Sequence, residues 1–82
     1  MALIYVVEDD KNISEIECFA LKNSGYDIEA FPDAASFRVR LAERKPDLVL
    51  LDIMLPDEDG LTILSKLRKD KETSKLQYSR YN

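Results

Sequence analysis

The stretch LVLLDIMLPDEDG, residues 48–60, decides the fold that we predict for this chain. Its first four residues are apolar without interruption, which is typical of a strand buried on both faces of a parallel sheet. The run stops at Asp52, and a loop from Ile53 to Asp59 follows, with proline and acidic residues that interrupt regular structure. The pattern therefore predicts a strand over 48–51 with an acid at its carboxyl end.

Two further segments have strand character. Leu3 to Val7 is a second continuous apolar run, and it ends at the three acids Glu8, Asp9 and Asp10. Asp27 to Phe31 is short and alternates in character, which predicts a less buried strand at an edge of the sheet.

Helical spacing of apolar residues fills the segments between and after these strands. We predict helices over 11–24, with Gly25 as a left-handed C-cap, from Asp33 to Lys45, and from Asp59 onward, where Asp33 and Asp59 are N-caps. The residues expected on the inward faces are Ile13, Ile16, Ala20 and Leu21, then Ala34, Phe37 and Leu41, then Leu61, Leu64 and Leu67.

The order βαβαβα predicts an α/β fold with a parallel sheet and right-handed crossovers. With strand two outside, the strand order is 2-1-3, the beginning of a flavodoxin-like doubly wound sheet. The residues after Thr73 are too polar for a central strand, so we divide the chain into a domain over 1–73 and a polar tail over 74–82.

The acids that follow the first and third strands are predicted to meet at one edge of the sheet. Asp52 then faces Glu8 and Asp9 across the switch point of the strand order, where open sheets bind ligands. Carboxylates this close require either a shared proton or a hard cation, and magnesium fits an all-oxygen site best. The alternative is that strand-end acids are turn residues or helix caps, and for Asp10 we favour that interpretation.

Composition narrows the function further. The chain has 82 residues, no histidine and a single cysteine, Cys18, which excludes His-based catalysis and an internal disulfide and disfavours zinc. A net charge of -4 disfavours direct binding to nucleic acid or to anionic membranes. No apolar stretch approaches 18 residues, and we expect a cytoplasmic protein.

The motifs VVEDD at 6–10 and LLDIMLPDEDG at 50–60 resemble those of bacterial response-regulator receiver domains of two-component systems. The resemblance extends from Leu3 to about Thr73. The motifs Met-Leu-Pro at 54–56 and Asp-Gly at 59–60 are typical of receivers that precede a winged-helix domain of a transcription regulator.

That resemblance implies a role for each acid of the cluster. Asp52 is the phosphoacceptor, and Asp9 and Asp52 ligate magnesium with the backbone carbonyl of Met54, while Glu8 completes the pocket through water. Pro56 and Gly60 support the loop. The phosphoryl donor is a phosphohistidine on a sensor histidine kinase, and this chain is a phosphoacceptor and not an enzyme, with no catalytic residue beyond Asp52.

The chain departs from the family after its third helix. Receivers have five βα units, and their last two strands carry a Ser or Thr and a Lys that bind phosphoryl oxygens. Neither is present here, so the alternative function is a truncated, non-phosphorylatable half-domain that only folds or associates. With nothing beyond strand 48–51, that strand becomes an exposed edge, and Ile4, Val6, Val49 and Leu51 lose part of their cover. We therefore predict a homo-oligomer, most simply a dimer, joined through that strand.

Two enzyme-like alternatives fit less well. Phosphatases of the haloacid-dehalogenase type also phosphorylate a strand-end Asp, but they need a second Asp two residues later, where this chain has Met54. A flavodoxin-like nucleotide binder needs a phosphate loop after the first strand, where this chain has acids.

Overall fold

A computed structural model describes residues 2–74 and 76–81, which form a four-stranded parallel sheet with three helices. The elements in chain order are β1 (Leu3–Val7), α1 (Lys11–Asn23), β2 (Asp27–Phe31), α2 (Ala34–Glu43), β3 (Leu48–Asp52), α3 (Gly60–Lys69) and β4 (Gln77–Tyr81). The strand order is β2-β1-β3-β4, and every neighbouring pair is parallel. The predicted flavodoxin-like α/β fold and its 2-1-3 order are confirmed, with β2 at one edge.

The fourth strand was not predicted. β4 pairs along the whole of β3, from Leu48 opposite Gln77 to Asp52 opposite Tyr81. Its residues alternate, with Tyr78 packed against the core while Gln77 and Ser79 are exposed. Such a strand suits the edge of a sheet, where apolar residues are needed on one face alone. The polarity of the tail therefore argued against a central strand but did not argue against an edge strand. Lys75 and Asn82 of the tail lie outside the described residues.

Two expectations about the third strand are therefore wrong. β3 is an interior strand, so its backbone groups are not free to pair with a second chain. The side chains expected to lose their cover are all buried: Ile4, Val6, Val49 and Leu51.

The predicted helix ends are confirmed by capping contacts. The side chains of Asp10, Asp33 and Asp59 accept hydrogen bonds from backbone N–H groups in the first turns of α1, α2 and α3, respectively. Gly25 follows α1 with φ of 93°, a left-handed conformation that glycine adopts without strain.

The main core lies between the sheet and the α2–α3 pair. The aromatic rings of Tyr5, Phe31 and Phe37 pack edge to face there, with ring centroids 5.1 to 6.3 Å apart. On α3 the prediction was partly wrong: Leu61 is exposed, and Ile63 is fully buried in its place. The inward stripe of α3 begins at Gly60 because the helix start approaches β3 so closely.

α1 lies on the opposite face of the sheet, over β1 and β2. None of its residues is buried, and the side chains of Ile16 and Phe19 are each 69% exposed. The expected inward positions of Ile13, Ile16 and Ala20 are therefore wrong, because no described element packs against that side of α1, and of the four predicted residues Leu21 alone is partly buried. No helix among the described residues is long and apolar enough to cross a membrane.

Candidate functional site

Three carboxylates meet at the carboxyl edge of the sheet, as the sequence predicted. Glu8 and Asp9 follow β1, Asp52 ends β3, and one oxygen from each of the three lies within 4.8 Å of the others. β1 and β3 are parallel neighbours, so their last residues are adjacent by register, with Val7 opposite Leu51. Glu8 and Asp52 are buried and Asp9 is exposed, which gives the cluster one side open to solvent.

The electrostatics of the cluster centre on Glu8. Its burial, with Asp52 and Asp9 beside it, raises the pKa of Glu8 from 4.5 to about 7, although a hydrogen bond from the Asp10 N–H (3.0 Å) partly offsets that effect. Burial is the largest cause of this shift, and the neighbouring carboxylates add to it, so the charged form of Glu8 is disfavoured here. Asp10 turns away from the cluster and caps α1, as we favoured from the sequence.

The loop after Asp52 is folded back on itself. The Met54 N–H donates to Asp52 Oδ1 (3.1 Å), Met54 and Asp59 form an isolated antiparallel bridge, and the Gly60 N–H donates to the Ile53 carbonyl (2.6 Å). The two ends of the loop of residues 53–59, at the end of β3 and the start of α3, therefore lie close together.

Gly60 is essential to this closure. A Cβ at position 60 would lie 2.7 Å from Ile53 Cα, and closer still to the backbone oxygen of Asp52. Only glycine permits so close an approach of the start of α3 to the end of β3. The structure gives Pro56 an exposed position in the same loop.

Sequence reasoning missed two acids of this loop. Asp57 accepts from the backbone N–H groups of Ala34 and Ala35 at the start of α2, each at 3.0 Å. Glu58 pairs with Arg38 of α2 and with Lys66 of α3, and these two cations hold the pKa of Glu58 down to about 2. The spacing of Asp57 before α3 gave no sign that it would cap a helix earlier in the chain.

The donor set fits a hard divalent cation. Three carboxylates within 4.8 Å offer oxygen ligands alone, and magnesium binds one or two carboxylates with water and phosphate oxygens. Cys18, the only thiol, lies on α1 outside the cluster. The geometry therefore matches a magnesium site much better than a zinc site.

The register of the fourth strand places neither a serine nor a threonine opposite the predicted phosphoacceptor. Register places Tyr81 opposite Asp52, whereas the serine of β4, Ser79, lies opposite Leu50. Two residues along a strand correspond to roughly 6–7 Å, too far for Ser79 to contact a group on Asp52. Ser79, the one serine of the described part of β4, therefore lies away from the acidic cluster.

The family of response regulator receiver domains matches residues 4–79. The chain belongs to this family. A relative from Synechocystis sp., the DNA-binding dual master transcriptional regulator RpaA, is 34% identical over 76 residues, which is 93% of this chain and 32% of RpaA. The receiver domain described here therefore spans about a third of that relative.

Solved structures share the receiver fold. A sensor protein from Polaromonas sp. JS666 has a TM-score of 0.91 at 29% identity, covering 96% of this chain and 63% of the other. The N-terminal domain of a response regulator receiver protein from Methanoculleus marisnigri JR1 also has a TM-score of 0.91 at 29% identity, covering 98% of this chain and 65% of the other. This receiver domain spans less than two thirds of either structure.

Proposed function

We propose that this receiver domain accepts a phosphoryl group on Asp52 from a sensor histidine kinase, with Mg²⁺ held at the acidic pocket. The observation that carries the proposal is the convergence of Glu8, Asp9 and Asp52 within 4.8 Å at the carboxyl edge of the sheet. Family membership supports the class of function, and the geometry supports the choice of residues.

The chemistry assigns each group one task. A carboxylate oxygen of Asp52 attacks phosphorus in line, an O–P bond forms, and the P–N bond to the donor imidazole breaks, leaving its electron pair on nitrogen. Magnesium, when bound, neutralises the negative charge of the phosphoryl oxygens. Asp9, Asp52 and the Met54 carbonyl would hold the cation directly, and Glu8 would hold it through water.

Burial prepares Asp52 for this role. The side chain is largely removed from solvent, and its Oδ1 accepts from the Met54 N–H, so one oxygen is held in place. No histidine is present in the chain, so the phosphohistidine must belong to a partner. In this proposal the domain is a cytoplasmic phosphoacceptor that regulates transcription through a longer parent and does not itself bind DNA or membrane.

The direct experiment is phosphorylation in vitro. The chain is incubated with Mg²⁺ and a small acyl phosphate, and intact mass spectrometry measures the addition of one phosphoryl group. We expect modification of the unaltered chain and none of Asp52→Asn, with Asp70→Asn, at an exposed position outside the acidic cluster, as the control. Addition of a phosphoryl group to the Asp52→Asn variant would show that another residue is the acceptor.

A second function is favoured by the position of Tyr81. Within the described part of β4 neither a serine nor a threonine lies opposite Asp52, so the hydroxyl that binds the transferred group in receiver domains has no counterpart at that position. Such a group is commonly worth roughly 2–4 kcal/mol in the transition state. We propose as the alternative a half-domain that folds without accepting phosphate, and failure of the mass experiment in the presence of bound Mg²⁺ would support it.

We also propose that copies of this chain self-associate. The third strand is not available for this, since β4 covers it. The apolar side chains that α1 leaves exposed, Ile13, Ile16 and Phe19, are the better candidate surface, because burying them between two chains removes apolar area from water.

A further inference from the structure

The loop of residues 53–59 is held from two directions. Its base is closed by the contacts of Ile53 with Gly60 and of Met54 with Asp59, which bind it to β3 and to the start of α3. Its later part is bound to α2 by Asp57 and Glu58. Met54 belongs to the closed base, where its N–H also donates to Asp52 Oδ1.

The Asp57 contact is a helix cap supplied from outside the helix. Asp33 accepts from the Ser36 N–H, and this leaves the N–H groups of Ala34 and Ala35 for the two oxygens of Asp57. Both oxygens are used, so the carboxylate is held in one orientation. A carboxylate at a helix N-terminus is also stabilised by the helix dipole.

The Glu58 contact joins three elements. Its side chain is only 16% exposed, and its two oxygens pair separately with Arg38 of α2 and with Lys66 of α3. By comparison, the Arg40–Glu43 pair of α2 has a glutamate that is 63% exposed and an N–O distance of 3.4 Å. Because Glu58 is poorly solvated and paired twice, its ion pairs should hold the loop more strongly than the exposed Arg40–Glu43 pair holds its two residues together.

We propose that Asp57 and Glu58 are positioning residues: they fix the loop against α2 and so place the Met54 carbonyl at the acidic pocket. The magnesium part of this inference rests on the proposed function. α2 is a suitable anchor because Ala34, Phe37 and Leu41 fasten it to the core. Magnesium demands near-ideal octahedral geometry, so a displaced carbonyl lowers affinity.

The experiment compares two test variants with two matched controls. Asp57→Ala and Glu58→Gln each remove one negative charge and one attachment to α2. Asp70→Ala removes a carboxylate that accepts from the Glu72 N–H in an exposed turn, and Glu43→Gln removes an exposed ion pair. All four change the net charge equally.

Two quantities are measured where circular dichroism shows every variant fully folded. Calorimetric titration with Mg²⁺ is expected to give an affinity about tenfold weaker for the two test variants and unchanged for the controls. Amide hydrogen exchange without metal is expected to be faster at Met54 and Gly60 in the test variants alone. A residue that only stabilised the fold would leave the Mg²⁺ affinity unchanged and would speed exchange throughout the core and not selectively at Met54 and Gly60.

Wild-type affinity and wild-type exchange at Met54 in Asp57→Ala and Glu58→Gln would overturn the inference. Failure of the unaltered chain to bind Mg²⁺ would overturn the proposed function and the affinity part of the inference, while the exchange rates would still decide whether the two carboxylates hold the loop. Magnesium binding without phosphoryl transfer would overturn the proposed function alone.

Discussion

The two faces of the sheet are covered very differently. One face carries α2 and α3, and it holds the contiguous core, with Tyr5, Phe37 and Ile63 fully buried. The other face carries α1 alone, over β1 and β2, and no residue of α1 is buried. Leu48 and Leu50 of β3, which lie on the α1 face by register, are only half-buried.

This difference shows that a segment can form a helix without burying the apolar residues of that helix. α1 has its cap at Asp10, its left-handed glycine at position 25 and an apolar stripe, so local signals suffice to define a helix. Burial of that stripe needs a neighbouring element, and none of the described elements supplies one. An amphipathic pattern thus indicates a helix more securely than it indicates which of its residues are inside.

The largest expected effect tests the two faces with the same substitution. Phe37→Ala on the α2–α3 face should lower the free energy of unfolding by about 3–5 kcal/mol, because it leaves a cavity in the core. Phe19→Ala on the α1 face should change it by less than about 0.5 kcal/mol, since that ring is mostly in solvent. Urea unfolding followed by circular dichroism measures both, and equal losses would show that α1 packs more tightly than described here.

Gly60→Ala tests the junction between the α2–α3 face and the acidic pocket. The added methyl group would overlap the backbone of Asp52 and Ile53, so we expect a loss of about 1–3 kcal/mol in the free energy of unfolding. Ser65→Ala on the exposed side of the same helix is the control and should be nearly neutral. A neutral Gly60→Ala would mean that α3 shifts away from β3 at no cost.

Glu8, in the acidic pocket at the carboxyl edge of the sheet, makes the stability of the folded chain depend on pH. Its pKa is raised in the folded chain to about 7, from 4.5, so its contribution favours folding below pH 4.5 and is lost as pH rises through 7. Glu8→Gln imitates the protonated acid. It should therefore stabilise the metal-free chain by about 2 kcal/mol at pH 8 and change stability little at pH 4.

The Glu8 prediction is measured by urea unfolding in the presence of a chelator at the two pH values. Glu15→Gln, at an exposed position of α1, is the control and should show no difference between them. Equal effects of Glu8→Gln at pH 4 and pH 8 would contradict the buried, charge-crowded environment of Glu8.

The smallest expected change in stability comes from the exposed face of α1. Ile16→Lys should alter the free energy of unfolding by less than about 0.5 kcal/mol but should abolish self-association if α1 forms the contact. Val39→Lys on α2 introduces the same charge at a residue 66% exposed and should leave association intact. Light scattering at micromolar concentration decides, and an association that survives Ile16→Lys would point to the free edge of β4.

Much of this molecule was predictable because its signals are local. The apolar runs ending at Glu8 and Asp52 gave β1, β3 and the pocket between them, and the aspartate caps gave the helix starts. β4 was missed because an edge strand needs few apolar residues. Among the described side chains of β4, Tyr78 alone packs against the core. The loop attachments of Asp57 and Glu58 were missed because they join residues more than 20 positions apart or depend on how two helices meet.

The all-parallel pairing of the strands has a consequence for how fast this chain folds. The first paired residues are 24 positions apart in β1–β2, 44 in β1–β3 and 29 in β3–β4, so no strand can zip up with its neighbour through a hairpin. Each pairing must close a long loop before any ladder bond compensates the lost chain entropy. We expect the folding rate to be limited by the β1–β3 encounter, which brings together the most distant pair, and destabilising substitutions in Val6 or Leu50 to slow folding more than those in Ile28.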